Sequence, residues 1–506
     1  MNIFKKKSLC AALAGIGALG AAGAAQAVNL NPDGLGQALI YPYYTTRNDA
    51  AGNAYNSLLS VVNTTASVKA VKVRFLEGKN STEVLDFNLF LSPKDVWTTA
   101  VVPSTRTAGA MAITSDRSCT LPFGNATAGQ SLQNGGADFV NFAYASDNAG
   151  AGLDRTTEGY VEIIEMAQFA PDSKTATNVT HSPAGGTPPG CGDQTDALAL
   201  SEALPPGGGL FGGMTLVNVN SGSDYTEDAV ALDNFSDTSL YSTAGSILPN
   251  LTQASPPISV VFANGFVFTS AWNAGTPDPV SAVLMHDHIM NEFVLDAGTN
   301  SGSDWVVTMP TKRFYVGLGT GAPASLFQRN FNKTAGACDD VNLAIFDREE
   351  GTTTTPLGFS PPPPAGAAAA LCWEANVVTF NNSNVLGSAN VSNVDTTGLP
   401  NPENGWMDIG FAAATGAPAT VHTLTSADTI TTDIFAFFTE GAATYVGLPV
   451  VGFAVQSFAN GAITVNGTAT LSNYGGNFVQ KGTRSISPEA GFPSATAPQA
   501  KSMRKQ

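Results

Sequence analysis

Between Ser57 and Val102 apolar residues fall at alternate positions in short runs. Val71, Val73 and Phe75 alternate with Lys72 and Arg74, and Leu85, Phe87, Leu89 and Leu91 alternate with Asp86 and Asn88. Residues two apart share one face of a strand. The pattern therefore predicts four strands across "SLLSVVNTTASVKAVKVRFLEGKNSTEVLDFNLFLSPKDVWTTAVV", each with one buried and one wet face, divided by Asn-Thr-Thr, Gly-Lys-Asn and Ser-Pro turns. Short strands joined in this way suit an antiparallel sandwich.

Further along, the periodicity weakens between Ala108 and Pro206, where small residues, Gly-Gly and Pro-Pro suggest a large insertion or loop layer; within it "GYVEIIEMAQF" reads as a strand or a short helix. "LPPGGGLFGG" marks a boundary, after which "MTLVNVNSGSDYTEDAVALDNFS" repeats the strand, polar turn, strand outline. Gly351 to Ala370 is low in complexity and reads as a long surface loop. Strands return in "LPVVGFAVQSFANGAITVNGTATLSNYGG", with Val451, Phe453 and Val455 on one face and Asn460-Gly461 as a tight hairpin turn. After Tyr474 the chain drifts into Ser, Pro and Ala and ends "KSMRKQ", with neither an apolar anchor nor a closing amphipathic strand. The expected fold is mainly β: two or three antiparallel β-sandwich modules with long loops and a few short helices, divided as 28–205, 206–340 and 341–480, with a flexible tail over 481–506. The run "VVNTTASVKAVKVRF" resembles the opening hairpins of immunoglobulin-like modules in bacterial envelope and surface proteins, which implies such a sandwich for the first module.

The first residues suggest a compartment. Lys5, Lys6 and Lys7, a small apolar run and Ala25-Gln26-Ala27 have the form of a signal peptide over residues 1–27, so the chain is expected to be exported to the periplasm, cell surface or exterior. Cys10 would leave with that leader. Cys119, Cys191, Cys338 and Cys372 remain, an even number that predicts two disulfides; of the three pairings, Cys119 with Cys191 and Cys338 with Cys372 close the shorter loops. No CxxC motif occurs, so thioredoxin-like and zinc-ribbon chemistry lose their signature. The formal net charge is −17, which disfavours nucleic acid as a partner.

Chemistry is most suggestive in "DPVSAVLMHDHIMNEF". Asp278-Pro279 is a helix start, and a helix over 278–292 places His288 against Glu292 with His286 on another side, beside Asp287. That arrangement supplies too few ligands for a zinc site, and His181 and His422 lie in Ser/Thr/Pro-rich surroundings without ligand spacing. Asp347 and Glu349 would share a strand face as a carboxylate pair, but a chain with 40 acids produces such pairs by chance. Calcium is the one candidate cofactor, through Asn220, Asp224, Glu227, Asp228 and Asp233, read here as an acidic hairpin turn. Tyr41, Tyr43 and Tyr44 suit packing within a strand, with a sugar-stacking platform as the alternative, and Trp305 sits in a core-like run. No catalytic motif is present. The expected function is a secreted cell-envelope protein with a structural, assembly or adhesive role, whose partners are itself or other surface components. The alternative is a carbohydrate-binding or other soluble extracytoplasmic binding module, and the third reading an unrecognised hydrolase.

Overall fold

β-Branched and aromatic residues at alternate positions, broken by Asn, Gly and Pro, do form strands. In a computed structural model the four expected strands span Asn56–Asn63, Val68–Glu77, Glu83–Leu91 and Val96–Pro103. The structure describes residues 26–488 apart from 123–131, 133–134, 148, 183–185, 318–325, 354–356, 364–368, 412–421 and 434–437. Most of the expected leader (residues 1–25) and the stretch beyond residue 488 thus lie outside the described residues. The described residues are mainly β, with three short α-helices and many antiparallel sheets among them.

Two sheets face each other in the N-terminal half. A seven-stranded sheet is ordered 29–30, 230–233, 38–45, 158–169, 68–77, 83–91, 120–121, and a six-stranded sheet 223–228, 210–218, 56–63, 96–103, 110–113, 137–138. Their inner faces share one core that includes Tyr41, Val73 and Phe87 from the first and Val61, Trp97 and Met214 from the second. Phe87 and Trp97 meet edge to face across it, centroids 5.7 Å apart. The "GYVEIIEMAQF" segment, expected within a loop layer, is strand Glu158–Phe169 at the centre of the seven-stranded sheet.

Sheet pairing crosses both expected module boundaries. After Pro206, Gly208 and Gly209 adopt positive φ (71° and 79°), where a side chain would be strained, and turn the chain back into the sheets just described. Strand Leu210–Asn218 then pairs with Asn56–Asn63, and Val230–Asp233 with Ala38–Thr45. In the C-terminal half Ser301–Thr308 lies between Ala375–Phe380 and Val451–Val465, which crosses the boundary expected at 340. Residues 481–488, expected in the tail, are edge strands: Lys481–Thr483 pairs with His288–Met290 and Ser485–Pro488 with Ala443–Val446. Of the two Asn-Gly steps between residues 448 and 476, the hairpin turn uses Asn466-Gly467, both at positive φ, whereas the expected Asn460-Gly461 step falls at a register shift within the strand.

The face of the seven-stranded sheet expected to be wet is buried. Ala38, Ile40, Leu76, Tyr160 and Ile164 on that side join the core of the C-terminal half, which contains Trp305 and Phe380. The charges alternating with the apolar residues are neutralised locally. Lys69 lies 2.6 Å from Glu165, Lys72 3.1 Å from Asp86, and Arg74 2.8 Å from Glu83 and 2.6 Å from Glu162. Lys72 also donates to the carbonyls of Thr243 and Ala244, on a segment that crosses over it. Burying a charge is costly unless it is paired and hydrogen-bonded, and here every cation has a carboxylate on the next strand.

The disulfides join Cys119 to Cys191 and Cys338 to Cys372, the pairing of sequence neighbours. They fit an oxidising, extracytoplasmic location. Among the described residues no helix is long and apolar enough to cross a membrane.

Candidate functional site

The histidine-rich segment is not one helix. The helix runs only Asp278–Leu284; Met285–His286 pairs with Leu448–Pro449, and His288–Val294 with Asn404–Gly410. The Arg484 guanidinium caps the helix end by donating to the carbonyls of Val283 (2.8 Å) and Met285 (2.7 Å). The three side chains of His-Asp-His then take three separate partners. His286 Nδ1 lies 2.9 Å from the Leu284 carbonyl, Asp287 accepts from the Thr483 hydroxyl at 2.7 Å, and His288 Nδ1 lies 3.0 Å from both Asp408 carboxylate oxygens. Glu292, the expected partner of His288, pairs across the sheet with Trp406 instead. Burial, then the nearby Arg484 charge, pushes the His286 pKa down to about 3, so its ring is neutral.

The other candidates are also tied to local structure. His181 Nδ1 is 2.8 Å from the Ser92 hydroxyl, and buried His422 is 2.9 Å from the Leu326 carbonyl. Asp347 and Glu349 do not share a strand face, because the strand ends at Asp347 and the chain turns. Asp347 accepts from the backbone of Glu349, Gly351 and Asn401. Burial raises its pKa, but these donors outweigh it and hold the carboxyl below its ordinary value. The acidic segment expected as a calcium turn is mostly strand Ser223–Asp228, paired with Gly213–Asn218, which strings Asp224, Glu227 and Asp228 along an edge. Asn220 lies in the turn before that strand and Asp233 in the other sheet. Among the described residues no group of three or more His, Cys, Asp or Glu is placed to hold a metal.

Tyr41, Tyr43 and Tyr44 are core residues, which removes the stacking platform. Their hydroxyls donate to the Ser60 carbonyl (2.8 Å), the Glu158 carboxylate (2.8 Å) and the Thr156 carbonyl (3.1 Å). Trp305 is fully buried and donates from Nε1 to the Glu292 carbonyl at 3.1 Å.

Among the described residues the outer face of the six-stranded sheet is open. The register aligns Thr226, Thr215, Leu58, Ala100 and Ile113 in one row, Asp228, Gly213, Ser60 and Thr98 in the next, and Phe211, Val62 and Val96 in a third. The four adjacent strands 210–218, 56–63, 96–103 and 110–113 contain no charged residue; the first charges appear on the edge strand, at Asp224, Glu227 and Asp228. Leu58 is 46% exposed, Val96 49% and Phe211 43%. Small side chains between them leave an open groove of about 920 Å³. The sequence held a signal for this: in "SLLSVV" both sets of alternate positions are apolar, Leu58 and Val62 as well as Leu59 and Val61. Comparison with known proteins gives no match to a family model, a curated protein or a solved structure.

Proposed function

We propose that this protein is an exported structural component of the cell envelope, built on immunoglobulin-like sandwich architecture, that assembles with further copies of itself through the outer face of its six-stranded sheet. The observation that carries this reading is the charge-free span of four adjacent strands in a chain of net charge −17. Contiguous exposed apolar surface marks an interaction site. Elsewhere an acidic surface repels its own copies, whereas contact over the four charge-free strands desolvates hydroxyls, methyls and rings, with the Asp228 carboxylate kept to the margin on the edge strand. The role asks for no catalytic group and no cofactor. Nucleic acid is not a partner in this reading, because a chain of net charge −17 repels phosphate.

Leu58→Asp places a charge in the row between Thr215 and Ala100, on an inner strand of the face, while leaving the inner core untouched. In sedimentation velocity across a concentration series, the native chain is expected to shift from monomer to larger species, and Leu58→Asp to need at least about tenfold more protein for the same shift, equivalent to about 1.4 kcal/mol. A native chain that stays monomeric throughout, or a variant that assembles equally well, would remove the proposal.

A further inference from the structure

The C-terminal half carries a second open feature on a different sheet. Strands Asn342–Asp347, Asn404–Gly410 and His288–Val294 align Phe346, Trp406 and Glu292 in one outward row. Trp406 is 41% exposed. Phe346 stacks on it, ring centroids 4.8 Å apart and planes 19° apart, so one face of the indole is backed. On the far side from Phe346 lies a groove of about 380 Å³ whose lining includes Trp406, Met290, Asn291, Glu292, Phe478 and Lys481. Among the described residues the Glu292 carboxylate, the Lys481 ammonium and the Trp406 indole N–H have no hydrogen-bond or ion-pair partner. The next rows of the same sheet hold the half-exposed His288 and Asp408 pair.

From this we infer a saccharide-binding site, in which a pyranose ring of a neutral glycan packs its C–H face on the groove side of Trp406 and its hydroxyls meet Glu292, Lys481 and Asn291. Sugars present an apolar ring face edged by hydroxyls that both donate and accept. The groove supplies the matching set: an exposed aromatic with a polar edge, a carboxylate that only accepts, an ammonium that only donates and a carboxamide that does both. A mostly apolar concavity with a few converging polar groups is the usual form of a small-ligand site, and the volume lies within the usual range of roughly 300–1,000 Å³. Phe346 fixes the orientation of the indole before binding, which lowers the ordering cost on association. This site shares no residue with the assembly face, so the two fail separately.

The test is a titration of the native chain with cellohexaose, chitohexaose, maltohexaose and mannohexaose, read by tryptophan fluorescence and by calorimetry. At least one is expected to bind. Trp406→Ala should weaken that binding by at least about tenfold, Phe346→Ala by a few-fold, and Leu58→Asp not at all. Because Trp406 stands on the surface, Trp406→Ala should keep its melting temperature, and the partial replacement Trp406→Phe should retain part of the affinity. Binding of none of the four, or binding unchanged in Trp406→Ala, would overturn the inference.

Discussion

Replacing Arg155 with Ala is expected to cost about 3–5 kcal/mol of folding stability, the usual consequence of removing one partner from a buried charge cluster. Arg155 is buried and lies 2.8 Å from both Glu77 and Asp147, with its guanidinium 4.0 Å above the Tyr144 ring. Burial raises the Asp147 pKa, but the hydrogen bonds from Arg155 and the Ala149 backbone outweigh it and hold the carboxyl below its ordinary value. Without the guanidinium two carboxylates stay buried side by side with no cation between them. Arg106→Ala is the control. Arg106 pairs with Asp138 at 2.7 Å, but its side chain is well exposed, and such pairs contribute about 0.2–1 kcal/mol. Urea titrations of both variants check this; equal losses would show that the Arg155 cluster is not stabilising the sandwich.

Stability should also rise as pH falls from 8 to 5. Burial raises Glu374 to about 8, Asp304 to about 6 and Glu227 to about 7, the last with help from Asp228. In the unfolded chain these groups return to about 4.5 for Glu and 3.8 for Asp. Between those values and the folded ones the native state holds protons that the unfolded state has released, so the gradient of stability with pH is negative. The contribution is fully present below the unfolded values and is lost as pH rises through about 6, 7 and 8. Each tenfold gain in proton affinity on folding corresponds to about 1.4 kcal/mol, so the three groups together make pH 5 more stable than pH 8 by on the order of several kcal/mol. Below that window the trend turns, because Asp138 and Asp147, held low by their arginines, begin to protonate. Thermal melts at constant ionic strength from pH 4 to 8 give the profile, and a flat or rising one would contradict this assignment.

The strands were legible where alternation was regular, as in Val68–Glu77 and Glu83–Leu91, because a two-residue period reports that the two faces differ. It does not report what covers the second face. Lys72 and Arg74 read as solvent-facing, yet their partners Asp86 and Glu162 stand on neighbouring strands, and Glu162 is 88 residues from Arg74 along the chain. The 278–292 segment misleads for a different reason. Met285, Ile289 and Phe293 are four apart, a spacing shared by one helix face and one strand face, so only pairing with Asn404–Gly410, remote in sequence, decides for strand. The Trp406 groove had no local signal, since Phe346, Trp406 and Glu292 meet only through sheet register. The open face was partly legible in "SLLSVV", where neither set of alternate positions is charged.

Hydroxyl-radical footprinting of the native chain, dilute and concentrated, tests the assembly face most directly, because it reports side-chain exposure residue by residue. On assembly Leu58, Val96, Ile113 and Phe211 should become protected together, while Tyr474 and Trp406 keep their reactivity. Protection that falls elsewhere and spares these four side chains, or no change across the concentration range, would contradict the account.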